Sequence, residues 1–330
     1  MVDVTVCFAT IRSNPHFDWL FKSLSKQSFK NFEVVVIDDR ASLERYKEVR
    51  ALSQTNNVLL GYYGESKPSR WKGVRGALCN ARNSAIAIAH GQHLVWMDDN
   101  GYATPQWLEY HMIWGRYGLS EAGTWVTFHN GQPSEIPVEV RGLPGKHYYQ
   151  GNIGPYGFEG SRKQINAPLV CEPTWLYGGN MGFPLGAALA VNGFDEMYDG
   201  EQGVDDCDFA IRIRRAGYKQ IFDPRALVYY NITSHHLTQN EVAEVKPDKA
   251  LIPREKMSRK PKEKMLRDGK MHFSNELLIQ NLRDDRTRVR ANPNFDLVQL
   301  REQFVKTGKL EHPLGPERDW RDNALISEMT

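Results

Sequence analysis

No stretch of this 330-residue chain holds the roughly twenty consecutive apolar residues of a bilayer-spanning helix, so no membrane span is expected. Cysteine is scarce as well. Cys7, Cys79, Cys171 and Cys207 lie far apart with no CxxC, which argues against a disulfide framework or a zinc site. Neither GxGxxG nor GxxxxGK[ST] occurs, so dinucleotide and P-loop readings lack their phosphate-cradling glycines. The opening "MVDVTVCFATIRSNP" has an acid at position 3 and reads as a strand, a poor secretory signal. A reducing, cytoplasmic setting is the expectation. No internal repeat is present.

What the chain does have is an ordinary globular composition, 41% hydrophobic and 25% charged, enough for one large domain or a domain with an extension. The net charge of +2 is unevenly spread. Residues 246–270 carry ten Lys/Arg against four Asp/Glu, an excess that leaves the rest of the chain acidic. Two readings stand side by side: a solvated segment, or an arm for a polyanion such as nucleic acid or an acidic lipid surface.

Short β-branched runs alternate with helical periodicity through the first hundred residues. "DVTVCFAT" (3–10), "FEVVVIDD" (32–39), "NVLLGYY" (57–63) and "HLVWM" (93–97) read as strands, and the first two suit burial on both faces. Between them, Phe17, Leu20, Phe21 and Leu24 fall at helical spacing. Residues 42–54 form a second helix with Ser42 as N-cap, and 76–91 an Ala-rich third closed by Gly91. Such alternation predicts a mostly parallel α/β sheet flanked by helices. Thr104 and Pro105 read as N-cap and first residue of a helix to about Tyr117, followed by a strand at 124–130. Residues 131–174, rich in Gly, Pro and Tyr, read as a substrate-facing loop whose aromatics, with Trp125 and Trp175, can stack on a sugar or base. A helix at 205–216, strands near 219–223 and 226–230, and a polar, partly helical extension from 236 to 330 complete the expected order.

Ligands of an open α/β sheet collect at the carboxyl ends of its strands. Two strands end there in paired acids, Asp38–Asp39 and Asp98–Asp99, the second followed by Asn100. One such pair is ordinary turn chemistry, but two at equivalent strand ends suggest a site. A third acidic group opens the helix "GVDDCDFAIRIRRAG". Helical phase puts Asp206 on one face with Phe209, Ala210 and Ile213, hence inward. Asp205, Asp208 and Arg212 fall on the other side, where Asp208–Arg212 is an i, i+4 pair and acids complement the helix N-terminus.

With these residues in place, "VTVCFATIRSNPHFDWLFKSLSKQSFKNFEVVVIDDR", "GALCNARNSAIAIAHGQHLVWMDDN", "YGGNMGFPLGAALAVNGFDE" and "GVDDCDFAIRIRRAG" together resemble family 2 glycosyltransferases of GT-A fold, over about residues 3–235. The resemblance implies a GT-A domain at 1–235 and an inverting, metal-dependent enzyme that takes a nucleotide-diphosphate sugar, a UDP-sugar first. It implies that Asp39 accepts the N3–H of uracil. Thr10, Arg12, Arg75, Arg82 and Asp98 would join the donor site, with Gly179 and Asn180 of the "GGN" stretch against sugar and acceptor. Mn²⁺ or Mg²⁺ would sit at Asp99 and Asn100, with His235 a further candidate ligand. Asp206 would be the base, with Asp205 beside it. Two departures stand out: Asn100 occupies a position where aspartate is common, and Asp205–Asp206 replaces the commoner Glu-Asp. The acceptor expected is a glycan or a hydroxymethylated base in DNA. A sugar-nucleotidyltransferase, or a non-catalytic carbohydrate- or nucleic-acid-binding module on the same scaffold, are the alternatives.

Overall fold

The computed structural model describes residues 2–68, 78–128, 167–199, 205–231, 287 and 296–310. Strands β1 (Val4–Thr10), β2 (Phe32–Asp38), β3 (Leu60–Gly64) and β4 (His93–Met97) pair in parallel in the order β3-β2-β1-β4. Helices α1 (Phe17–Ser25), α2 (Leu43–Thr55) and α3 (Leu78–Ile88) are the crossovers between them. Right-handed crossovers put a helix on one face when the chain steps one way across the sheet and on the other face when it steps back. Accordingly α1 and α2 cover Val4, Val6, Phe8, Val34 and Val36, while α3 covers Cys7, Val35 and Ile37 on the reverse face. The reversal falls between β1 and β4, and the crevice outside their carboxyl ends is where this architecture takes ligands.

Past β4 come β5 (Gly101–Ala103), α4 (Trp107–Gly115), β6 (Ser120–Phe128), β7 (Leu169–Val170), β8 (Asn180–Pro184), α5 (Leu185–Ala190), α6 (Asp205–Arg215) and β9 (Gln220–Asn231). The full sheet runs β3-β2-β1-β4-β8-β6-β9-β5, with β7 attached to β9. It is parallel up to β4 and mixed beyond, because β8 runs antiparallel to both its neighbours. That reversal matters for the site. Asn180, at the start of β8, lies opposite Met97, at the end of β4, so the chain entering β8 arrives at the ligand edge of the sheet.

Helix α3 is buried from Cys79 through Ile88, which explains its alanines, serine and asparagines: there is sheet on one side and protein on the other. The outer side is closed by α7 (Leu297–Thr307), with Leu297 and Leu300 fully buried. Asp296 caps this helix through the Val298 and Gln299 amides, and Gly308 ends it at φ 68°. Arg301 donates to the Ile86, Ala87 and Ala89 carbonyls at the end of α3, groups that have no intrahelical partner. A division at residue 235 therefore separates from the core a helix that packs into it.

Other expectations shift in detail. Ser42 caps α2 as read, accepting from the Arg45 amide. Thr104 does not cap α4: its hydroxyl donates to the Leu227 carbonyl, and the helix begins at Trp107. Gly91 is needed for close approach, since a Cβ there would stand 2.5 Å from the Thr5 amide nitrogen. The strand expected at 124–130 begins at Ser120. The two strands expected at 219–230 are one, β9, with a register shift opposite Gly123/Thr124 where Asp223 holds the Arg225 amide. The loop at 131–166, "NELLIQNL" and the basic segment 246–270 lie outside the described residues. Among the described helices, none is long and apolar enough to cross a membrane, and all four cysteines are free and buried.

Candidate active site

Four pieces of chain meet at the carboxyl edge of β1 and β4. β1 delivers Thr10 and, just after it, Arg12. β4 delivers Asp98, Asp99 and Asn100. The approach to β8 contributes Gly178 and Gly179, and α6 begins with Asp205 and Asp206.

The two acids after β4 have different surroundings. Asp99 Oδ2 accepts from Thr10 Oγ1 at 2.7 Å and faces Arg12 Nε at 2.7 Å, while the Arg12 amide donates to Thr10 Oγ1 at 3.1 Å. Asp98 lies between that cluster and Arg82. Loss of hydration first, and the Asp99 charge second, push its carboxyl up to about 6, against the pull of Arg82 and Arg12. Asn100 is buried.

The pair opening α6 divides between an arginine and backbone amides. Asp205 is ion-paired with Arg82 of α3. That guanidinium is buried over the Trp96 and Phe194 rings, at 5.5 and 4.9 Å from their centroids. Gly178 passes so close to Arg82 that any side chain at 178 would collide with it. Asp206 Oδ2 accepts from the Gly178 amide and Oδ1 from the Cys207 amide, each at 2.8 Å. Burial, then the Asp205 charge, raise the Asp206 carboxyl to about 6, with Arg82 and the two amides opposing. The predicted split of α6 into an inward Asp206 and an outer Asp208–Arg212 pair is corrected here. Both sides are buried, and Arg212, at 2.7 Å from Asp208, also donates to the Val191 and Gly193 carbonyls. Periodicity misjudged that pair because α5 and its following turn cover the second face.

At β2, Asp38 is fully buried and committed to the fold. It accepts from Tyr63 at 2.8 Å and the Arg40 amide at 2.9 Å, and pairs with Arg45 at 2.9 Å. Asp39 stays half-buried at the strand end, its Oδ1 taking the Ser66 hydroxyl at 2.7 Å. Asn180 is placed differently from the expectation of a sugar contact. Its side chain is buried, with Oδ1 accepting from Trp107 Nε1 at 2.8 Å and lying 3.1 Å from His111 Nε2, and Nδ2 donating to the Ala226 carbonyl. Strand alternation turns it toward α4, so the "GGN" stretch offers the site its glycine backbone. Trp175 packs edge-on against Phe222. Arg75 and His235 lie outside the described residues.

Among the described residues, no group of three His, Cys, Asp or Glu forms a metal cage. The donor set nonetheless suits a hard divalent cation that brings ligands of its own. Mg²⁺-type ions take one or two carboxylates together with substrate phosphates. Among the described residues, four carboxylates, Asp98, Asp99, Asp205 and Asp206, stand with the guanidinium groups of Arg12 and Arg82. Asp98 and Asp99 are the oxygen donors at hand, and a cation at Asp99 would share or replace Arg12.

Two buried networks had no signal in the sequence. Lys67 pairs with Glu196, and His93, Glu121 and His111 cluster under β8, with His93 Nε2 2.8 Å from Glu121 Oε2. Both join residues far apart in the chain, and neither sits in a motif.

Comparison with known proteins finds a family for part of the chain and a similar fold for most of it. Residues 13–112 match the family described as Glycosyl transferase family 2. No curated protein matches the sequence. Solved structures with a similar fold include S. aureus TarS 1-349 in complex with UDP-GlcNAc, 14% identical with TM-score 0.50, over 93% of this chain and 93% of that one. GalNAc-T7 with UDP, GalNAc and Mn²⁺ is 13% identical with TM-score 0.50, over 96% of this chain and 59% of that one. A mannosyltransferase from Pyrobaculum calidifontis, PcManGT with GDP-Man and Mn²⁺, is 17% identical with TM-score 0.46 over 70% of this chain. The chain spans only 57% of that protein.

Proposed function

We infer that this chain, a family 2 glycosyltransferase of GT-A fold, moves a sugar from a UDP-sugar to an acceptor hydroxyl with inversion at the anomeric carbon. The observation that carries the reading is Asp206. Its two oxygens are held by the Gly178 and Cys207 amides, at the sheet edge where Thr10, Arg12, Asp98 and Asp99 gather. The UDP-GlcNAc bound by TarS and the UDP bound by GalNAc-T7, on a similar fold, favour a uridine diphosphate donor.

In this reading each acid has its own task. Asp39 accepts from the base, and Asp98 from a ribose hydroxyl. Arg12 and Arg82 lie beside the diphosphate, with Arg75 a further candidate. A Mn²⁺ or Mg²⁺ ion held by Asp99, with Asn100 adjoining, would supply charge neutralisation for the leaving diphosphate. Asp206 removes the proton as the acceptor oxygen bonds to the anomeric carbon and the carbon–phosphate-oxygen bond breaks on the opposite face. A carboxyl near 6 suits that task, since it is ionised at neutral pH and more basic than an exposed aspartate. Asp205 is a poorer base because Arg82 holds its charge in place.

The test is release of UDP from a panel of UDP-sugars, with Mn²⁺ and with a chelator, by wild type and Asp206→Asn. Turnover that needs both metal and Asp206 is expected. Equal turnover by the variant would overturn the assignment of the base.

A further inference from the structure

The base-recognising end of the site rests on a part of the chain that the mechanism above does not use. Asp39 Oδ1 receives the Ser66 hydroxyl at 2.7 Å and the Ser66 amide at 3.3 Å. Ser66 lies just past β3 in a loop with no regular structure, so its position must be set from outside. Asn80 of α3 sets part of it, donating to Ser66 Oγ at 3.2 Å and to the Lys67 carbonyl at 2.7 Å. Ser84 accepts from the Lys67 amide at 2.9 Å.

The next residue carries the larger constraint. The Lys67 side chain is fully buried, with Nζ 2.8 and 3.0 Å from the two oxygens of Glu196. Glu196 also accepts from Asn83 at 2.9 Å. Removing two opposite charges from water is costly, and a buried pair is poor evidence of stabilisation, since apolar residues of the same size often do as well. What such a pair does supply is a fixed register between two segments. Here those segments are the loop after β3 and the turn at 194–199. That turn holds α3 twice more, through Asn83 at Phe194 and through Asp199, which accepts from the Cys79 and Asn80 amides.

We propose that Ser66, anchored by the buried Lys67–Glu196 pair, is a positioning residue that fixes the Asp39 carboxylate for the nucleobase. Recognition of the base then depends on the 194–199 turn, some 130 residues away in sequence and shortly before α6. The inference rests on the reading of Asp39 as the base acceptor. It adds a residue and an anchor that the reading does not contain.

Calorimetric binding of UDP and ADP to the full chain with Mn²⁺ tests it, and the ratio of the two affinities is the quantity read. Ser66→Ala, on a half-buried loop, should bind UDP about tenfold more weakly, the usual scale for a hydrogen bond to a charged group, with ADP affinity unchanged. Ser66→Thr, which keeps the hydroxyl, should recover the preference. Lys67→Met combined with Glu196→Leu, checked for folding by its melting transition, should shift the ratio in the same direction as Ser66→Ala. If wild type prefers UDP and Ser66→Ala keeps the whole preference, the clamp is wrong while the donor assignment stands. If wild type does not distinguish UDP from ADP, the donor assignment fails, and the clamp falls with it.

Discussion

Asp205 and Asp206 are neighbours on one helical turn, yet one faces an arginine and the other two backbone amides. That difference, rather than residue type, is the ground for the separate roles proposed for them. Asp206→Asn should keep UDP affinity and lose transfer by roughly a hundredfold or more, as general bases do, in a single-turnover assay. Asp205→Asn should instead weaken donor binding as well, because it leaves Arg82 buried without its partner. The pH dependence follows from the direction of the shift. Burial raises Asp206 to about 6, so the active, ionised form is lost as pH falls through that value. The plot of log kcat/KM against pH should bend downward near 6 on its acid side, instead of near the ordinary aspartate value of about 4. A profile flat from pH 5 to 8 would remove Asp206 from the mechanism.

At the scale of elements, α3 is the part on which the site depends. It carries Arg82 toward the acids and Asn80 toward the Ser66 loop, and it is enclosed on its outer side by α7. Leu300 is fully buried in that contact, and Leu300→Ala should cost about 2–5 kcal/mol in urea unfolding. Val305→Ala, on the same helix but 71% exposed, should cost almost nothing. A chain ending at residue 235 would leave α3 uncovered and the Ile86, Ala87 and Ala89 carbonyls without Arg301. Such a truncation should fail to give a sharp melting transition. If it melts like the full chain, α7 is an accessory and not part of the core.

Across the whole molecule, the acid-rich edge sets a tension between stability and function. Asp98 and Asp206 both titrate in the fold near 6, above the value of about 4 expected in the unfolded chain. For acids shifted upward, the folded state holds the proton more tightly. Their cost is therefore absent below about pH 4 and fully present above about pH 6. A divalent cation with UDP should offset that cost only where the carboxylates are ionised. The rise in melting temperature on adding Mn²⁺ and UDP should be several degrees larger at pH 7.5 than at pH 5. Equal shifts at the two pH values would mean that these acids do not meet the cation. The family match over residues 13–112 also favours the transferase over the sugar-nucleotidyltransferase alternative.

Local pattern was enough for a good deal of this. Buried β-branched runs and helical spacing marked β1 to β4 and α1 to α3, because period and composition are properties of contiguous residues. Acids at the ends of β2 and β4 stood out for the same reason, since a parallel sheet exposes those ends together. Four motifs in order then carried the resemblance to family 2 glycosyltransferases, whose family model matches residues 13–112. What sequence alone left open depends on which segments meet. The burial of Asp208–Arg212, the turning of Asn180 toward α4 and the packing of α7 on α3 all come from chain far away in sequence. Helical phase in the sequence already favoured Asp206 over Asp205, but the partners of the two acids, Arg82 and Gly178, are 123 and 28 residues distant from them. A carboxylate's role is set by the charges and amides around it, and only the folded chain brings those together.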